Sequence, residues 1–125
     1  MIPVFLFIEK MMTQYKVVED QPENYNVSSL AHCYTVRSCH TYKEAARWAL
    51  DYAWRKRRNN NLIHIVFLSE DTDRVYKVSF GLGHFYIAAE DEEKLREALR
   101  IFGKKYITAE RDEGAEMEID EYFNG

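Results

Sequence analysis

His32, Cys33, Cys39 and His40 are four soft or borderline ligand types in one short stretch, the donor set a zinc ion takes up when all four converge on it. Their spacing opposes convergence. On a strand, neighbouring side chains point to opposite faces, and the two His/Cys pairs sit at opposite ends of the segment. Cys33 and Cys39 would lie about 20 Å apart along such a strand, beyond the roughly 7 Å Cα separation that a disulfide tolerates. Free, buried thiols are the expectation, with no metal and no cofactor. For acid–base or nucleophilic work, either cysteine could be set beside His84, or Asp71 and Asp73 beside His64, but chance supplies such combinations in any chain of this length. No G-x-S-x-G, P-loop, H-E-x-x-H or dinucleotide fingerprint is present, and Gly81-Leu82-Gly83 reads as a hairpin turn. His64 is expected as a strand residue with a satisfied imidazole. A small-ligand or catalytic domain with a pocket near His64 and His84 therefore ranks third among the functional readings, and a non-enzymatic role ranks above it.

Two charged segments offer binding chemistry instead. Between Thr41 and Arg58 stand Lys43, Arg47, Arg55, Lys56, Arg57 and Arg58 against only Glu44 and Asp51. Trp54-Arg55-Lys56-Arg57-Arg58 could neutralise phosphates while the indole stacks on a base, which makes an RNA- or DNA-binding module the second reading. The sequence pI of about 5.6 argues against it, and the cations also suit the negative end of a helix dipole. Toward the C-terminus the balance reverses, with Glu110, Asp112, Glu113, Glu116, Glu118, Asp120 and Glu121 against Arg111. Alternation from Glu116 to Tyr122 predicts a strand whose Glu116, Glu118 and Asp120 form a carboxylate row at about 6.6 Å intervals. The leading reading is a small protein-binding factor, of inhibitor, immunity or regulatory type, that uses this acidic row on a partner still to be identified.

The elements that must position these residues follow from periodicity. Thr41-Tyr42-Lys43-Glu44 is a capping box, and Ala45, Ala46, Ala49 and Ala53 make one stripe of the helix it opens. Leu62 to Ser69 is apolar on both faces, the mark of a central strand. Arg74–Phe80 and His84–Ala89 complete a predicted three-stranded meander, and Leu95, Ala98, Leu99 and Phe102 give a second amphipathic helix, stopped at Gly103. Strands are also predicted over Ile2–Ile8, Tyr15–Val18, Leu30–Ser38 and Tyr106–Thr108. The expected fold class is α+β: an antiparallel sheet with two amphipathic helices, in the core order β-α-β-β-β-α plus extra terminal strands.

The α-β-β-β-α part of that order is similar to double-stranded RNA-binding domains and, with a strand in front, to ribosome-hibernation factors. Glu90, Asp91, Glu92 and Glu93 stand where the RNA-binding pattern wants lysines, and carboxylates there repel a duplex backbone.

The bulk numbers fit one domain over 1–125, with a compact core over about 30–123 and 1–12 as a peripheral strand or as residues upstream of a second start at Met11 or Met12. Charged residues make up 30% and aromatics 14%, enough to fold and rich in the Tyr and Phe that suit interfaces. A net charge of -4 argues against general polyanion binding. The first apolar run is too short for a membrane span and lacks the basic flank of a signal peptide, so a cytoplasmic protein without a membrane partner is expected. Homodimerisation through the Glu116–Tyr122 strand is plausible by edge pairing, although its like charges would oppose it.

Overall fold

The computed structural model describes residues 2–21, 34–59, 61–69, 74–79 and 81–124. Along the chain these form β1 (Ile2–Lys10), β2 (Tyr15–Asp20), β3 (Tyr34–Cys39), α1 (Tyr42–Lys56), β4 (Leu62–Phe67), β5 (Arg74–Ser79), β6 (His84–Ala89), α2 (Glu92–Phe102), β7 (Thr108–Arg111) and α3 (Glu113–Asn124). The seven strands make one sheet in the order β3-β2-β1-β4-β6-β5-β7. β1 is parallel to β4 and β4 to β6, while β2, β3, β5 and β7 join by antiparallel pairing.

This corrects the expected fold class: the sheet is mixed, not antiparallel, and three helices pack on it, not two. The predicted meander is absent because β6 lies between β4 and β5. With it goes the arrangement that the likeness to double-stranded RNA-binding domains implied. Tertiary burial decides the matter. β4 is apolar on both faces, which demands a neighbour on each edge and cover above and below, and β1 and β6 supply the edges.

One face of the sheet packs Leu6, Val17, Val66, Val78, Phe85 and Ile87 against α1 and α2. The opposite face packs Phe5, Ile65, Phe67, Val75 and Ala88 against Ile119 of α3. Each large side chain so buried contributes about 1.5–3 kcal/mol. α1 begins with half of the expected capping box: the Thr41 hydroxyl accepts from the Glu44 amide at 3.1 Å, while Glu44 Oε2 accepts from the amide of His40, the residue before the cap, at 3.2 Å. Ala45, Ala46, Ala49 and Ala53 are buried, so the helix backbone rides close to the sheet.

The Glu116–Tyr122 segment is helix, not strand. Its period-two alternation coexists with an i, i+4, i+8 set, Ala115, Ile119 and Phe123, and the start is fixed by Asp112, whose Oδ1 accepts from the Ala115 amide at 3.0 Å. The preceding strand is Thr108–Arg111, starting two residues later than the expected Tyr106–Thr108. Pairing of a Glu116–Tyr122 strand with a symmetry mate is thereby removed; the outer strands of the sheet are β3 and β7.

Candidate functional site: a cleft between helix α3 and the sheet

Between α3 and the strands is a cleft of about 840 Å³, a size suited to a small ligand or a few side chains. Its floor comes from the parallel pairing of β1 and β4, which sets Phe7 opposite Phe67 and stacks their rings at 4.9 Å. Phe123 of α3 closes one end, meeting Phe67 edge-on at 5.9 Å and stacking on Phe5 at 5.2 Å. Val75, Met117 and Ile119 complete the apolar lining.

The helix side is unlike an ordinary buried stripe. Glu113, Glu116, Asp120 and Phe123 fall at i, i+3, i+7 and i+10, one face of α3, and all four line the cleft, as does Glu9 from the end of β1. Carboxylates thus share the lining with aromatic rings. Glu116 is the anchored one: Arg111 donates to it twice, at 2.9 and 3.0 Å, and the Val75 amide donates to it at 3.0 Å. The bonded Arg111 guanidinium holds the Glu116 carboxyl below its ordinary value, against the opposing effect of burial. Arg111, the cation in the lining, is therefore already engaged. The side chains of Glu9 and Glu113 are exposed and form no hydrogen bond or salt bridge with the described residues.

Of the acidic row read from the sequence, the structure brings Glu116 and Asp120 into the cleft and leaves Glu118 outside it. Glu118 adds to the negative field at Tyr86, whose hydroxyl is pushed up to about 12 mainly by burial and then by Asp112. Asp112 accepts that hydroxyl's hydrogen bond at 3.3 Å.

The basic cluster is divided. Trp54 sits at the core margin, 5.6 Å from Phe102, and Arg57 covers its ring at 3.8 Å while donating to the Trp54 carbonyl at 2.7 Å. Arg55 and Lys56 lie instead beside the Tyr52 ring, at 6.0 and 5.7 Å, and Arg58 is exposed. A base could not reach the Trp54 face that Arg57 occupies.

The two histidines stand on opposite faces of the sheet. His64 is buried under α1, with its ring 5.6 Å from Tyr52, while His84 lies 5.5 Å from Tyr86 on the α3 side. One pocket cannot be lined by both. Burial and Lys56 lower His64 to about 4; burial and Lys77 lower His84, with Asp112 opposing. Cys39 is a buried free thiol; His32, Cys33, Asp71 and Asp73 lie outside the described residues. Among the described residues no group of three His, Cys, Asp or Glu side chains is placed to hold a metal ion. Nor is any helix among them long and apolar enough to cross a membrane.

Sequence reasoning missed the aromatic floor. Its signal was present in β1, where Phe5, Phe7 and Glu9 share one face by alternation, but β1 had been set apart from the core. Compared with family models, curated proteins and solved structures, the chain matches none.

Proposed function

We propose that this protein is a non-enzymatic binding factor that takes a basic segment of a protein partner into the cleft between α3 and the sheet. The observation that carries this reading is the lining of the cleft: Glu113 and Asp120 of α3 and Glu9 of β1 stand beside Phe7 and Phe67, while Glu116 is held by Arg111 and the Val75 amide. Aromatic floors with a charged rim are the composition of interface hot spots. The acidic surface remains the binding surface of the sequence-based expectation, with Glu118 replaced by Glu9 and Glu113. A buried free thiol at Cys39 suits a reducing compartment such as the cytoplasm.

The test is site-specific photo-crosslinking with p-benzoylphenylalanine in place of Met117, which lines the cleft, and in place of Leu82, which is exposed but outside it. Position 117 is expected to label a partner segment that mass spectrometry shows to be rich in Lys and Arg. Equal labelling from position 82, or a labelled segment without cationic residues, overturns the reading.

A further inference from the structure

The cleft offers more than negative charge, since aromatic rings line it as well. Phe7, Phe67 and Phe123 present aromatic carbon, and Met117 adds a flexible thioether, 69% exposed, at the side. Glu9 arrives from β1 and Glu113 from the first turn of α3, so the two carboxylates flank the cleft from different elements instead of standing side by side. A guanidinium is served best by a single carboxylate presented in its own plane as a fork. That arrangement already exists here, and Arg111 fills it against Glu116. An ammonium is a point charge that can be approached from several directions, on a stem of methylenes that packs against aromatic rings.

We infer that the cleft is a cradle for a lysine side chain of the partner: the aliphatic stem lies on Phe7 and Phe123, and the ammonium meets the carboxylates of Glu9 and Glu113 that line the cleft. This rests on the proposed binding of a basic segment and names the group that the cleft recognises. Neither carboxylate is tied into the fold by a side-chain hydrogen bond or salt bridge to the described residues, and Glu113 meets Arg111 only through its field, so both can be altered without removing a bonded contact.

The experiment uses the full chain and four small probes: blocked lysine amide, its Nε-acetylated form, the norleucine analogue and blocked arginine amide. Binding is read from chemical-shift changes of the Phe7, Phe67, Met117 and Phe123 side chains. Lysine amide is expected to bind about ten-fold more tightly than the norleucine and acetylated probes, the scale of a charge-assisted contact with two carboxylates. Arginine amide should bind more weakly than lysine. The double variant Glu9→Gln, Glu113→Gln should remove the preference for lysine, while Glu118→Gln, outside the cleft, should keep it. The inference is overturned if lysine and norleucine shift the same resonances equally, if arginine matches lysine, if no cleft resonance moves, or if the double variant retains the preference. A basic partner segment still crosslinked at position 117 in any of these cases would leave the broader reading standing and remove only the lysine cradle.

Discussion

At the scale of single residues, His64 shows what burial does to a titratable group. It is 2% exposed, its Nδ1 finds no hydrogen-bond partner among the described residues, and Tyr52 of α1 covers its ring. Charging it would place a cation in the core beside Lys56, which is why it titrates at about 4 rather than its ordinary 6.5. The unfolded chain therefore binds a proton between these values that the folded chain refuses. Stability from this site is fully present above about 6.5 and is lost as pH falls through about 4, a change on the order of 3 kcal/mol. We predict that His64→Gln flattens the fall in the urea midpoint over that window relative to the parent chain; parallel curves for the two proteins would contradict it. Alternation along β4 placed this side chain on a strand, but a satisfied imidazole was expected. The neighbour that covers it comes from α1, which no local pattern in β4 announces.

At the scale of elements, the β5–β6 turn separates two glycines that look alike in sequence. Gly81 has φ of 62° with open space around it, whereas Gly83 has φ of 86° and lies so close to α1 that a Cβ would stand 2.5 Å from the Arg57 carbonyl oxygen. Gly81→Ala should cost about 1 kcal/mol from the left-handed backbone alone. Gly83→Ala adds a clash with backbone at the end of α1 and should destabilise by at least about twice as much. Denaturant unfolding of the two variants decides this, and equal midpoints would count against the close approach. α1, α2 and β4 were legible because caps and periodicity agreed with their burial. The C-terminal element was misread because Glu116–Tyr122 satisfies both periods at once. The deciding contact, Glu116 with the Val75 amide, joins residues far apart in the chain. For the same reason only part of the site could be read: Glu116 and Asp120 are visible as charges, but their convergence with Phe7 and Phe67 depends on α3 crossing the far face of the sheet.

At the scale of the whole molecule, β1 is the organising strand. It pairs with β2 on one edge and β4 on the other, and its Val4, Phe5 and Leu6 are fully buried, Leu6 toward α1 and α2 and Phe5 toward α3. A chain started at Met11 would lose the strand that joins the two halves of the sheet. We predict that it shows neither native amide dispersion nor a cooperative unfolding transition; a folded truncated chain would mean that β2 and β4 can close the gap alone. Charge is segregated across the sheet, with the cations at the end of α1 on one face and the carboxylates of α3 on the other. The second set lines a cavity with aromatic walls.

The pairing of Ile2 with Leu62 has a further consequence during synthesis. β1 leaves the ribosome before its parallel neighbour β4, which is made only after two strands and a helix have followed. Through that interval the nascent β1–β2 hairpin carries an unsatisfied edge and the apolar run Val4-Phe5-Leu6, the kind of surface that holdase chaperones capture. Ribosome pausing or slow elongation before β4 is complete would therefore lower the yield of native protein more than the same delay after it.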